Sequence, residues 1–190
     1  TVVTAFPHYD TNRIWEEYCG KIVEKEGQDD LTVYRTYLYV PRKKTSILGR
    51  LLNYVSFNVL STLAGIFSGR HDIILAPSPP LTIGLSAYVI SRLHGIPYIY
   101  NVQDIYPDVA INLGILTNRL VIQFFKAMER FVYAKAAAVS VLSQGFRQNL
   151  LNKKVPAEKI KVIPNFVDTD FVQPLAPNNG FAKKSNLNGK

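Results

Sequence analysis

Residues 101–108, NVQDIYPD, place two side-chain amides and two carboxylates between an apolar stretch and a proline turn. Asn101, Gln103 and Asp104 follow a predicted strand closely enough to face the crevice at its carboxyl end, where open parallel sheets bind ligands. An amide donates and accepts hydrogen bonds but takes up no proton, so Gln103 suits the holding of hydroxyl or phosphate oxygens and provides no general base. Asp104 could orient a neighbour or accept from a ligand hydroxyl. Asp104 and Asp108 read equally well as helix caps before the turn fixed by Pro107. His8 closes another strand end, where it could meet a ligand oxygen or stand as an exposed loop histidine. Ser78, inside the rigid run Pro77–Pro80, could cap a turn or touch the same ligand. Cys19 is the only cysteine and His8, His71 and His94 are scattered, so neither an internal disulfide nor a metal-ligand spacing is present.

These residues need strands to position them, and the apolar pattern supplies candidates at 1–6, 32–40, 72–76, 97–102, 138–142 and 160–163. Helical stretches fall at 47–67, 81–94, 117–136 and 144–152. Alternation of this kind predicts an α/β fold with a Rossmann-like, doubly wound parallel sheet. Gly95 and Pro97 stop one helix after His94, and Asn118 offers a cap to the next. Leu120, Phe124, Met128 and Phe131 recur at helical spacing and read as core.

The formal charge of +8 is local: Arg42, Lys43, Lys44 and Arg50 form one basic cluster and Lys183, Lys184 and Lys190 another. That distribution disfavours a nucleic-acid partner, which needs a basic face interleaved with aromatics. The first basic cluster precedes Leu51–Phe67, 17 residues without a charge. A bilayer-spanning helix needs about 20 mainly apolar residues, and Asn53, Ser56, Asn58, Ser61 and Thr62 interrupt this run. The expectation is a helix packed on the sheet behind a basic, lipid-facing approach loop, with a wholly soluble helix as the alternative. The stripe Leu48, Leu52, Val55, Val59, Leu63 and Ile66 fits either. Residues 173–190 read as a linker or loose tail.

Five motifs taken in order, AFPHY at 5–9, APSPP at 76–80, NVQDIYPD at 101–108, VSVLS at 139–143 and VIPNFVD at 162–168, resemble the N-terminal half of family 4 glycosyltransferases. The resemblance extends from residue 1 to about 172 and is strongest to the colanic-acid and fucosaminyl transferase branch. It implies a GT-B architecture, of which 1–172 would be the acceptor-side domain, with the initial strand, glycine-rich loop and first helix missing. It also implies a retaining transfer from a nucleotide sugar, UDP-linked by expectation and without a further cofactor, to a surface-polysaccharide precursor. The donor-binding half lies elsewhere in such enzymes, so this chain alone is expected to be inactive. The acceptor would be a glycan or lipid-linked sugar, and the site cytoplasmic, peripheral to the inner face of the membrane.

His8, Ser78, Gln103, Asp104 and Asn165 are the substrate-binding residues that the resemblance favours, while no catalytic residue is assigned. Gln103-Asp104 stands where many related transferases have His-Asp. Phe166 replaces the commoner glycine beside Asn165, whose rival reading, shared by Asp168, is an Asx turn. Glu16 and Glu24 copy the spacing of the family's donor-holding glutamates but lie in a polar connection without its strand-loop-helix context. Two rival functions remain: a nucleotide-sugar epimerase of the same fold and a non-catalytic, membrane-associated scaffold domain. A Rossmann dehydrogenase is disfavoured because no G-x-G-x-x-G occurs.

Overall fold

The computed structural model describes residues 1–9, 12–28, 30–41, 47–173 and 180–185. Strand β1 (Val2–Ala5) is followed by a hairpin of β2 (Val23–Gln28) and β3 (Leu31–Thr36), then by helix α1 (Ile47–Phe67). From there the chain alternates: β4 (Ile74–Pro77), α2 (Ile83–His94), β5 (Tyr98–Val102), α3 (Asp108–Asn112), α4 (Arg119–Lys135), β6 (Ala138–Val141), α5 (Gln144–Asn152) and β7 (Ile160–Val162). A short helix, α6 (Gly180–Lys184), lies in the segment read as a tail.

The strands form two sheets, β1-β3-β2 and β4-β5-β6-β7. Every pairing in the second is parallel, as is β1 with β3. The α/β reading with a parallel Rossmann-like sheet is therefore correct. Parallel neighbours require crossover connections; in the second sheet the helices provide them, while β1 reaches β3 by way of β2.

The boundaries are set by local chemistry. Asn118 Oδ1 accepts from the amides of Leu120 and Val121 and starts α4; Ser143 Oγ accepts from Phe146 and starts α5. Gly95, at φ +67°, adopts the left-handed turn that ends α2.

The core joins Tyr98, Tyr100 and Val102 of β5 and Val139 and Val141 of β6 to Ala87, Val132 and Tyr133 on the helices. Each fully buried valine contributes about 1.5–3 kcal/mol before conformational entropy is counted. The hydroxyl of Tyr98 donates to the Val132 carbonyl at 2.7 Å, so the buried ring keeps its polar end partnered. Gly84 lets α2 approach closely, since a Cβ there would meet Val132 and Tyr100.

Three expectations need correction. Strand β2 was expected to be a polar connection, but residues 23–28 pair antiparallel with β3. They lack apolar alternation; charge replaces it. Arg35 donates to Glu26 at 2.8 Å and Tyr18 donates to the same carboxylate at 2.6 Å. These bonds, the Tyr18 hydroxyl first, hold the Glu26 carboxyl below its ordinary value. Charged, exposed edges of this type resist pairing with other chains.

Helix α1 turns its polar interruptions inward rather than its stripe. Asn53 Nδ2 donates to the Tyr39 carbonyl at 2.7 Å, Ser56 Oγ accepts from the Tyr39 amide at 2.8 Å, and Asn58 Nδ2 donates to Thr82 Oγ1 at 3.0 Å. Ser61 and Ala64 are buried, and Gly65 lets Ile90 of α2 approach, while Leu48, Leu52, Val55, Val59 and Leu63 stay exposed. Small residues permit the close helix contact, and polar groups near the interface must be hydrogen-bonded. The apolar stripe is left outside.

Helix α4 behaves similarly. Leu120, Phe124 and Phe131, read as core, are exposed, and its buried residues are Glu129, Val132 and Tyr133.

Candidate functional site

The carboxyl ends of β4, β5, β6 and β7 carry a chain of polar side chains. Asn165, just beyond β7, donates from Nδ2 to Gln103 Oε1 at 3.1 Å. Gln103 Nε2 in turn donates to Asn101 Oδ1, and Asn101 Nδ2 donates to Ser140 Oγ at 2.8 Å. Behind them, buried Ser78 accepts the Gln103 amide on its Oγ at 3.1 Å and fixes the turn after β4 against the end of β5. Sequence reading anticipated Ser78, Gln103 and Asn165, and the fold brings all three together. The hydroxyl of Ser78 anchors Gln103, and α2 begins at Thr82 without any side-chain cap.

Each amide in this chain uses one of its two N–H donors within it. The rim is thus pre-oriented and keeps hydrogen-bonding capacity for a ligand rich in hydroxyl or phosphate oxygens. Asp104 adds the charge. Its carboxylate is exposed and, among the described residues, makes no side-chain hydrogen bond, and α3 begins with no side-chain cap. Capping does not account for Asp104.

Asp108 has a different role. Its carboxylate accepts from Lys153 at 2.9 Å and from Asn149 at 3.2 Å, and Lys153 also donates to buried Glu129 at 2.6 Å. This cluster fastens α3, α4 and α5 together and borders a cavity of about 830 Å³ on the helix side. Burial pushes the Glu129 carboxyl above its ordinary value, with Lys153 opposing that rise.

His8 stands apart from the amide chain. Its Nδ1 lies 2.8 Å from the Phe6 carbonyl, which can only accept, so Nδ1 is the donor. It ends β1, in the other sheet. Asp168 closes an Asx turn, accepting from the amides of Asp170 and Phe171 at 2.9 and 3.2 Å. Glu24 lies on β2 and pairs with Lys21 at 3.2 Å, and Glu16 lies in a separate single turn. Among the described residues no group of three His, Cys, Asp or Glu side chains could hold a metal ion.

Two members of the chain escaped selection from sequence as site residues, Asn101 in part and Ser140 altogether. The signal for Ser140 was a lone hydroxyl in the otherwise apolar strand AVSV, where burial demands a partner.

An apolar cleft of about 630 Å³ opens beside the rim. Leu51, Val55 and Leu63 of α1 form one wall, and Pro79, Pro80, Tyr106 and Phe125 line the side next to Ser78. The basic residues expected to flank it, Arg42, Lys43 and Lys44, lie outside the described residues. Arg50, on the first turn of α1, is exposed. Among the described residues no helix is long and apolar enough to cross a membrane.

The sequence pattern of the family described as glycosyl transferase 4-like domain matches residues 2–165. The chain belongs to the glycosyl transferase 4-like family. Within the transferase domain that this match defines, every strand from β1 to β7 and the whole amide rim are covered. The chain is also 29% identical over 180 residues to an Escherichia coli protein named as a colanic acid biosynthesis glycosyl transferase, WcaI. That alignment takes in 92% of this chain and 44% of the relative, so the chain spans less than half the length of the protein it matches.

Proposed function

We propose that this domain is the acceptor-side half of a retaining glycosyltransferase that moves a sugar from a nucleotide donor, UDP-linked by preference, to a lipid-linked polysaccharide precursor at the cytoplasmic face of a membrane. The observation that carries this reading is the adjacency of an amide rim with a free carboxylate to an apolar cleft that begins at Pro79 and Pro80. A lipid-linked sugar has the same division into a polar head and an apolar tail. In this reading Gln103, Asp104 and Asn165 hold hydroxyls of the acceptor or of the transferred sugar, with His8 at the margin. Ser78 takes part through the Gln103 backbone.

Glycosyl transfer needs the acceptor oxygen held against the anomeric carbon, the diphosphate leaving group neutralised, and water kept out. One face supplies only the first. The 190-residue chain is accordingly inactive alone, and the complete polypeptide performs the transfer.

The apolar stripe of α1 then rests against lipid, helped by the basic residues before it. In flotation assays with anionic vesicles, the complete protein is expected to bind, and Val55→Glu together with Val59→Glu to lower binding roughly 10-fold, since two apolar contacts are lost and two charges meet the lipid surface. Both positions are already exposed, so the fold should persist. Equal binding by both proteins would remove the membrane from the account.

A further inference from the structure

The cavity of about 830 Å³ beside Glu129 lies between α4 and the end of α5 and shares no lining residue with the apolar cleft. None of the amide-rim residues lines it either. Its wall is basic: Lys126, Arg130, Lys153 and Lys154 face two carboxylates, Asp108 and Glu129. Lys153 engages both carboxylates, at 2.9 and 2.6 Å, which leaves one N–H of its ammonium unused. The other three cations are exposed, and among the described residues their side chains make no hydrogen bond or ion pair.

Two features of this wall are unfavourable in themselves. Lys126 and Arg130 stand at i and i+4 on α4, hence on one face, and like charges at that spacing weaken a helix. Lys154 sits at φ +64° just past α5, where its amide and that of Val155 close the helix on the Leu151 and Leu150 carbonyls. Glycine ordinarily takes that left-handed position, because a Cβ there is strained. Both features converge on the same cavity. An anion held among the three side chains turns the repulsion into attraction and engages the strained lysine.

We infer that this cavity binds a phosphorylated small molecule carrying at least two negative charges. Four cations against two carboxylates set the charge, since a singly charged ligand would leave the wall positive. Phosphate oxygens suit the donors: Arg130 can offer its planar fork, and Lys126 and Lys154 can offer point charges. Size sets the rest. A bare diphosphate fills only part of a volume that lies within the range of small-molecule sites, and Ala134, Val155 and Pro156 give the remainder of the ligand an apolar surface. A concave site beside buried Glu129 fits a discrete ligand rather than a flat lipid surface.

Lysine footprinting of the complete protein tests this independently of any transfer activity. Acetic anhydride labels accessible lysines, and mass spectrometry reads Lys126 and Lys154 against Lys25 and Lys161, which are exposed outside the cavity. The probe is pyrophosphate, compared with sodium chloride at equal ionic strength. The readout is local, so pyrophosphate held elsewhere in the protein does not enter it. Near tenfold excess over its dissociation constant, pyrophosphate should slow acetylation of Lys126 and Lys154 roughly 10-fold and leave Lys25 and Lys161 unchanged. Arg130→Ala, an exposed change to a good helix former, should raise the pyrophosphate needed for half-protection roughly 10-fold through loss of one charge-assisted contact. Unprotected Lys126 and Lys154, equal protection of all four lysines, or an unchanged midpoint in Arg130→Ala would each overturn the inference. Protection by phosphatidylglycerol vesicles and not by pyrophosphate would assign the cations to a membrane surface and overturn it as well.

Discussion

Replacing Lys153 by Met should destabilise the domain by about 3–5 kcal/mol, because it leaves the Glu129 carboxylate buried without its cation. Glu129 is 2% exposed, and Lys153 reaches it at 2.6 Å while also holding Asp108. For a chain of this size such a loss lowers the thermal midpoint by roughly 10 °C. The pH dependence identifies the cause. Burial already raises the Glu129 carboxyl, and removing Lys153 takes away the charge that opposes the rise. A carboxyl whose folded-state value is raised keeps its proton when the unfolded chain has lost it, so the folded state is not penalised below the ordinary carboxylate value and is penalised increasingly as pH rises through the raised one. Denaturant titrations of both proteins from about pH 4 to pH 8 should show a small deficit at the acid end and the full deficit at neutrality. Adding Glu129→Gln to the variant should recover much of it. A deficit equal at all pH values would mean that Lys153 matters for its packing and not for its charge.

The second large effect belongs to the rim. In the complete protein, Gln103→Leu removes the hydrogen bonds with Asn101 and Asn165 and keeps much of the side-chain bulk. Transfer should fall roughly 100-fold, equivalent to about 2.7 kcal/mol of transition-state stabilisation. Stability should fall far less, by about 1 kcal/mol, because Asn165 is exposed and can turn to water. Gln103→Glu separates positioning from polarity. It can still accept from Asn165 but cannot donate to Asn101, so its activity should also drop. Full transfer by either variant, with the thermal midpoint unchanged, would show that the amide chain is structural and the ligand lies elsewhere.

The parallel sheet was legible because its strands are short, apolar and separated by residues whose chemistry ends or begins helices, such as Asn118, Ser143 and Gly95. The neighbourhood of Ser78, Gln103 and Asn165 was legible for a related reason: in a parallel sheet all three follow strand ends and must share a rim. What could not be read was which side of a helix faces inward. Helix α1 has an apolar stripe and a set of small and polar residues, and periodicity alone assigns the stripe to the core. The tertiary bonds of Asn53, Ser56 and Asn58 reverse that assignment, and no local signal reports them. Strand β2 was missed because Glu24, Lys25 and Glu26 carry no strand pattern. Its pairing rests on cross-strand partners such as Arg35, identifiable only once β3 is placed.

Asp104 is the one carboxylate on the rim that the described structure leaves without a hydrogen-bond partner. The decisive measurement is the transfer of radiolabel from UDP-sugars into lipid-extractable glycan by the complete protein and by its Asp104→Ala variant, with circular dichroism confirming that both are folded. Label should appear in the lipid fraction with the natural protein and fall roughly 100-fold with the variant. Equal labelling by the two proteins would contradict the proposed function, as would conversion of the donor sugar to an isomer without any transfer.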